Sequence, residues 1–203
     1  MESLLPAFSG FLSELRAIWA EGGDDERKML AAKPVLEALV VEPTLQQHAR
    51  DWPSTEGHKN LLLYEDPVFG FVVNAVVRPG PRAGTSSHDA HDHATAWVLY
   101  GLVEGTETLQ RFDRLDDESV EGHAEIRLRS ADVGGVGQVD LVPPFDPHSE
   151  IPGPSRSVAV IIRSERLVGR KLQGRYHMAT NTRTEGVGPT QVPFEVSVAV
   201  PVP

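Results

Sequence analysis

Two histidines separated by one residue, His91 and His93, are the first feature of this sequence that can do chemistry. They lie in a polar stretch that also holds His88. Alternate side chains of a β-strand lie on one face, so His91 and His93 would project together and Asp92 would point away. Neutral imidazoles spaced in this way can bind neighbouring positions of one metal ion. Histidines in a polar surface loop would show the same spacing, so a site requires a further ligand elsewhere in the chain.

The residues around this pair resemble the first motif of the cupin family. That motif has a glycine, two histidines one residue apart, a glutamate four residues after the second histidine, and a later glycine. Here Gly84 precedes His91 and His93, and Gly101 and Gly105 follow them. The resemblance implies a mainly β fold, the double-stranded β-helix or jelly-roll barrel, in which both histidines bind a metal.

A second segment, residues 137–148, resembles the other cupin motif. That motif has a glycine, five residues, a proline, one residue, a glycine, two residues and a histidine. Gly137, Pro143 and His148 keep this register, and Phe145 replaces the inner glycine. Two motifs in the right order imply that His148 is the third metal ligand.

The sequence departs from the cupin pattern at two positions. Trp97 stands where the glutamate ligand is expected, and Pro152 stands where an asparagine often follows the last histidine. Loss of the carboxylate leaves three neutral ligands, His91, His93 and His148, with half of an octahedral shell open. Such a set suits a metal that binds a substrate and dioxygen together.

The three-histidine set is similar to that of the thiol dioxygenase branch of the cupins, the cysteine and mercaptopropionate dioxygenases. The resemblance is strongest over residues 87–112, and it extends to the helices that precede the barrel in those enzymes. It implies Fe(II) as the cofactor, although Zn, Ni or Mn can occupy such a site in crystals. It also implies dioxygen and a small thiol as the reactants.

Several positions differ from the cysteine dioxygenases. The Ser, His and Tyr that face the metal along one strand of those enzymes align with Ala159, Ile161 and Arg163. The arginine that binds the substrate carboxylate aligns with Lys59. Because the chain has no cysteine, a thioether cross-link is excluded. A related oxygenase with another small anionic substrate fits better than a cysteine-specific enzyme.

Three residues are predicted to contact the substrate. Arg163 ends an apolar strand, where it either points inward and binds a carboxylate through two hydrogen bonds or lies in solvent. Lys59 is the alternative cation. Trp97 is expected to pack in the barrel and to shape the pocket, with Tyr100 on the opposite face.

Four further residues have a functional and a structural interpretation. His88 is either a fourth ligand or proton carrier, or an ordinary loop histidine. Glu150 either orients a ligand histidine or is an exposed acid. Tyr176 and His177 either supply an acid or a hydroxyl near the pocket mouth or serve the fold alone.

Composition narrows the class of protein. The 203 residues carry a formal net charge of −10 and no run of Lys or Arg, which argues against nucleic-acid and membrane-surface partners. With no cysteine, disulfides and thiolate ligands are excluded. The N-terminus lacks a secretory pattern, and no apolar window reaches membrane-spanning length. We therefore expect a cytoplasmic enzyme, a monomer or homodimer, acting on a small molecule.

The pattern of apolar residues divides the chain at residue 53. Residues 1–52 are predicted to form helices packed on the barrel, with Gly22-Gly23 between the first two and Pro34 at a break or a helix start. Residues 53–203 are predicted to form the cupin barrel, because short Val-, Ile- and Thr-rich runs alternate with turn residues. Residues 113–121 are predicted to be a hairpin loop, and residues 180–193 a long loop.

Two other functions fit the same residues. A metal-binding or ligand-sensing cupin without redox chemistry is consistent with the missing Ser-His-Tyr set, because cupins host binding modules as well as enzymes. A Zn- or Mn-dependent isomerase or hydrolase could use the same three histidines, because the ligands alone do not select the metal.

Overall fold

The computed structural model describes residues 3–56, 59–80, 90–167 and 169–198. The helices are α1 (Pro6–Ala20), α2 (Asp25–Val40) and α3 (Pro43–Ala49). The strands are β1 (Ser3–Leu4), β2 (Lys59–Glu65), β3 (Val72–Arg78), β4 (Ala90–His91), β5 (Val98–Glu104), β6 (Glu107–Arg114), β7 (Ile126–Gly134), β8 (Val139–Val142), β9 (His148–Pro152), β10 (Ser157–Arg163), β11 (Gln173–His177), β12 (Thr182–Gly186), β13 (Thr190–Pro193) and β14 (Ser197–Val198).

The strands form a double-stranded β-helix. Four antiparallel pairs are nested along the chain, β3 with β10, β4 with β9, β5 with β8 and β6 with β7. They lie in two six-stranded sheets. The order β13-β2-β3-β10-β5-β8 forms what we call the helix-covered sheet, and β12-β11-β4-β9-β6-β7 forms the ligand sheet. The predicted mainly β barrel preceded by helices is confirmed.

The helices cover the outer face of the helix-covered sheet. Side chains at helical spacing on α1, from Phe8 to Trp19, are buried in one apolar cluster with the outward residues of β5 and β10. The α2 helix approaches β5 so closely that a β-carbon at Gly101 would lie 3.1 Å from Leu36 Cγ. Apolar side chains on both faces of this sheet are shielded from water, and their burial stabilises the fold.

Pro34 does not break or start a helix, contrary to the prediction. It lies inside α2, which begins at Asp25, where the Asp24 carboxylate accepts a hydrogen bond of 2.9 Å from the backbone N–H of Arg27. Pro34 is exposed, as is Leu30 four residues earlier, so the carbonyl that loses its helical partner faces water. Burial of Met29 and Leu36 on the other side holds the helix together.

The predicted long loop at residues 180–193 contains two strands, β12 and β13. Both are edge strands that form because they pair with β11 and β2. Their polar sequence gives no strand pattern, so they could not be predicted from it. The predicted hairpin loop lies between β6 and β7, as expected. The division of one structural domain into a helical segment, residues 1–52, and a barrel, residues 53–203, stays a prediction. Among the described residues, no helix is both long and apolar enough to cross a membrane.

Candidate metal site

The two short central strands of the ligand sheet bring three histidines together. His91 ends β4 and pairs directly with His148, the first residue of β9. His93 follows β4 after one residue. One nitrogen from each ring lies within 4.8 Å of the other two, and the ring centroids are 4.4–5.0 Å apart. The described residues thus contain a group of three nitrogen donors that can hold one metal ion.

The ring of His148 is oriented by the backbone. Its Nδ1 lies 2.8 Å from the carbonyl oxygen of Asp146, so Nδ1 carries the proton and donates it. Nε2 is buried and has no hydrogen-bond partner, and Nδ1 of His93 is in the same state. Buried nitrogen atoms without partners are costly in a protein interior. Such atoms fit a metal ion, which would accept their lone pairs.

The imidazoles of His91 and His93 are poised to be neutral, whereas for His148 burial opposes protonation but the Glu150 carboxylate raises the pKa above its usual value. Burial, followed by the charge of His148, lowers the pKa of His91 to about 4. Burial and the other two histidines hold the pKa of His93 well below its usual value. Because a metal binds only the unprotonated ring, both residues are available to an ion at neutral pH.

Buried hydrogen bonds to Asp92 hold the ligand segment, which we define as residues 91–93, in place. The Asp92 side chain is fully buried, and its Oδ1 accepts hydrogen bonds from the backbone N–H groups of Ala94 and Gly174, at 2.8 and 2.9 Å. The Tyr176 hydroxyl donates to Oδ2 at 2.8 Å, and Arg183 lies 3.5 Å away. Burial opposes ionisation, yet these contacts hold the pKa of Asp92 below its usual value. Asp92 thereby fixes the segment between His91 and His93.

Two residues in the left-handed backbone region connect the ligand segments. Ala94 follows His93 with a φ of 47°, and Phe145 lies three residues before His148 with a φ of 58°. The backbone N–H of Phe145 donates to the carbonyl of Ala94 at 2.9 Å. Phe145 therefore keeps the conformation for which the cupin motif uses glycine.

Glu150 lies beside the three histidines. It shares a strand face with His148, two residues earlier, and its Oε1 is 3.5 Å from His148 Nε2. Its Oε2 is 3.7 Å from Arg78 Nη2, and Arg78 also bonds both oxygens of buried Glu107. Burial opposes ionisation, but the contact with His148 and the surrounding positive charges hold the pKa of Glu150 well below its usual value. Glu150 is an enclosed carboxylate, not the exposed acid that was the alternative.

A cavity of about 500 Å³ lies between the two sheets, and His91 and His93 line it. Its charged lining residues are Lys59, Arg78, Arg163, Arg175, Glu56 and Glu150. Among the lining residues that the structure describes, four are cations and two are acids, so the cavity suits an anionic ligand of modest size.

Arg163 points into this cavity from β10, on the same face as Ile161. It is buried, its Nη1 donates to the Asn74 side chain, and its Nε has no partner. Burial lowers the pKa of Arg163 to about 10, so the guanidinium stays charged at neutral pH. Of the two orientations open from sequence, the structure has the inward one. Lys59 lies at the exposed start of β2 and lines the same cavity.

Trp97 does not line the cavity. It packs against the apolar cluster under the helices, whereas Tyr100 lines the cavity, the reverse of the expected faces. The reason is the turn at Ala94, which separates the histidines from β5 and shifts the alternation by one residue. The predicted packing role of Trp97 agrees with this position, but the predicted pocket-shaping role does not.

The remaining sequence candidates are separated in space. His88 lies outside the described residues. Tyr176 is buried behind the ligand segment and bonds Asp92, and His177 lies 3.2 Å from the Thr184 hydroxyl. Sequence reasoning missed the Asp92–Tyr176 contact, because their 84-residue separation leaves no local signal. The enclosed position of Glu150 had a signal, its spacing of two from His148 on one strand.

No family model matches the sequence, and no curated protein does. Three solved structures illustrate what the chain is similar to. Recombinant oxalate oxidase with glycolate is 18% identical, with a TM-score of 0.36, over 47% of this chain and 42% of that chain. KdgF from Halomonas sp. is 15% identical, with a TM-score of 0.40, over 57% and 88%. A protein with a double-stranded β-helix domain from Klebsiella pneumoniae is 12% identical, with a TM-score of 0.40, over 57% and 80%. The match spans less than half of the oxalate oxidase chain.

Proposed function

We propose that this protein is a non-haem Fe(II) dioxygenase that oxidises a small carboxylate-bearing thiol to a sulfinic acid. One observation carries the proposal. The cavity is lined by His91 and His93, two of the three histidines able to hold one ion, and by a buried arginine whose Nε has no partner among the described residues. The first group suits a metal, and the second suits the carboxylate of a substrate bound beside it.

His91, His93 and His148 would hold the iron. When bound, Fe(II) supplies open positions for a thiolate and dioxygen, and its positive charge lowers the pKa of the thiol. The chain contributes the orientation of the rings. The Asp146 carbonyl fixes the tautomer of His148, and Asp92 holds the segment that carries the other two.

Arg163 would bind the carboxylate. The Asn74 side chain accepts from one nitrogen of its guanidinium, and the buried Nε has no partner among the described residues, which leaves its N–H for a ligand. A hydrogen bond between charged groups contributes roughly 1.5–3 kcal/mol, and burial excludes competing water. Lys59 would add a second cation nearer the mouth.

The reaction balances without a further reductant. The thiol sulfur loses four electrons and dioxygen gains four, so the O–O bond breaks and two S–O bonds form. Both oxygen atoms remain in the sulfinic acid, whose proton passes to solvent at neutral pH. The chain therefore needs no site for a 2-oxoacid or a nicotinamide.

The test is dioxygen uptake by iron-loaded protein with cysteine, cysteamine, 3-mercaptopropionate and mercaptosuccinate. We expect uptake only when a thiol is present, and a sulfinic product carrying both labelled oxygens from ¹⁸O₂. Turnover of cysteine should be slow, because Ala159, Ile161 and Arg163 replace the Ser-His-Tyr set. Absence of thiol-dependent uptake across the panel would rule out the proposal.

Arg163→Ala tests how the substrate is held. The variant should weaken binding of carboxylate-bearing thiols about tenfold or more, since roughly 1.4 kcal/mol corresponds to a factor of ten. Cysteamine, which has no carboxylate, is the control and should bind as before. Lys59→Ala should have a smaller effect in the same direction. Equal losses for both types of thiol would indicate damage to the fold.

Glu150 favours a second candidate, a metal-dependent isomerase or hydrolase without redox chemistry. A carboxylate beside a metal can accept a proton from a substrate or from a water molecule. Zn or Mn would then serve on the same histidines. Turnover of a substrate in the absence of dioxygen would favour this candidate, and lack of either activity would favour a metal-binding module.

A further inference from the structure

We propose that Glu150 is a fourth metal ligand, which replaces the carboxylate that the first motif lacks. The inference deepens the proposed function and rests on its three-histidine metal site. Glu150 lies on β9. The glutamate that the first motif lacks would stand at the position of Trp97, just before β5.

The first argument is distance. Glu150 Oε1 is 3.5 Å from His148 Nε2, and that nitrogen has no hydrogen-bond partner. Neighbouring ligands of one ion, each about 2.0–2.2 Å from it, are separated by roughly 3–3.5 Å. The two atoms are therefore spaced as two ligands of one ion are. The carboxylate lies beside the group of three nitrogens but does not belong to it, because its oxygens are not within 4.8 Å of all three, so binding requires the Glu150 side chain to move inward.

The second argument is orientation. Glu150 Oε2 is directed to Arg78 at 3.7 Å, while Oε1 is directed to the histidine. Arg78 is itself held by Glu107 at 2.8–2.9 Å and by the Tyr100 hydroxyl. Such an outer contact to one oxygen orients a carboxylate ligand and leaves its other oxygen for the metal.

The third argument concerns the other nearby acids. Glu107 is fully engaged by Arg78, Tyr100 and Ser157, and Glu104 pairs with Arg156. Trp97 packs under the helices and offers no ligand to the cavity. With Glu150 bound, an octahedral ion keeps two open positions, one for a thiolate and one for dioxygen.

The decisive experiment is a crystal structure of the wild-type protein loaded with Mn(II) or Zn(II), with the ion located by anomalous scattering. We expect a Glu150 oxygen within about 2.3 Å of the ion, close to the usual carboxylate–metal distance. A separation above about 3 Å, with water between them, would overturn the inference. This outcome would leave the dioxygenase proposal intact, because that proposal is tested by dioxygen uptake.

Matched variants supply a solution measurement. Glu150→Gln should weaken Co(II) binding about 100-fold and change the Co(II) absorption spectrum. Glu104→Gln is the control, because Glu104 pairs with Arg156 and does not line the cavity, so its affinity should change less than about threefold. Equal affinities and unchanged spectra for Glu150→Gln and the wild type would also contradict the inference. Should Glu150→Gln fail to fold, the wild-type crystal structure decides.

Discussion

The helix-covered sheet and the ligand sheet are stabilised in different ways. Every residue of β10 in the helix-covered sheet is buried, with apolar side chains under the helices on one face. In the ligand sheet, β7 is largely exposed, and ion pairs such as Arg129–Asp113 at 3.3 Å are partly exposed to solvent. Partly exposed pairs of this kind contribute roughly 0–1 kcal/mol each.

The comparison separates stability from function. Hydrophobic burial, which scales with apolar area, is concentrated in the helix-covered sheet. The ligand sheet instead positions three histidines through hydrogen bonds that Asp92 and the Asp146 carbonyl accept, and through the paired backbone of β4 and β9. The cavity lies between the two sheets, with the metal ligands on one and Arg163 on the other. Substitutions under the helices should therefore leave metal binding intact, and substitutions of the metal ligands should leave the fold intact.

The largest effect is expected at the ligands. His91→Ala and His148→Ala should each reduce metal affinity by more than about 100-fold, because even residues that only orient ligands cost 10–100-fold. The barrel should remain folded, since neither ring belongs to an apolar cluster. Metal content after dialysis and far-UV circular dichroism measure the two properties. His123→Ala is the control, because His123 lies outside the group. Stoichiometric metal in both ligand variants would refute the assignment.

Leu36→Ala should have the opposite effect, a loss of stability without a loss of metal affinity. Leu36 is fully buried between α2 and β5, so its truncation should lower the free energy of unfolding by about 3 kcal/mol through lost burial and a cavity. Metal affinity of the folded protein should be unchanged. Urea unfolding and metal titration test this directly, and a parallel loss of metal binding would show that the two sheets are coupled.

Tyr176→Phe should have an intermediate effect. Loss of the hydroxyl removes one hydrogen bond from Asp92, with a cost of roughly 1 kcal/mol in stability and about a tenfold loss of metal affinity. Tyr64→Phe is the matched control, because its hydroxyl bonds buried Asp66 at 3.0 Å, outside the cavity. That variant should lose similar stability and no metal affinity. Identical metal affinities for both variants would contradict a role for Asp92 in positioning the ligands.

The smallest effect is expected at Phe145. Because Phe145 is largely exposed and has a φ of 58°, Phe145→Gly should change the free energy of unfolding by less than about 1 kcal/mol and leave metal affinity unchanged. Phe145→Val should be less stable by about 1–2 kcal/mol, because a β-branched residue is disfavoured in this region. Thermal unfolding of both variants measures the difference, and equal stabilities would show that the backbone has relaxed.

The sequence determined much of the fold and the identity of the candidate ligands. Alternating apolar runs with turn residues predicted the barrel, and helical spacing predicted the segment before it, because both are local patterns set by backbone geometry. The spacing of His91 and His93, with the second motif at His148, predicted the three-histidine group that the structure brings together.

The tertiary structure decided which face of a strand a residue occupies, which strands pair and which polar side chains are buried. Because of the turn at Ala94, the inward–outward alternation of side chains is shifted by one residue in β5, and Trp97 packs against the helices. The polar residues after Thr180 form β12 and β13 because they pair with neighbouring strands. The partner of Asp92 was likewise decided by a contact between distant segments. Such contacts depend on how the two sheets close on each other, and local sequence patterns do not encode that closure.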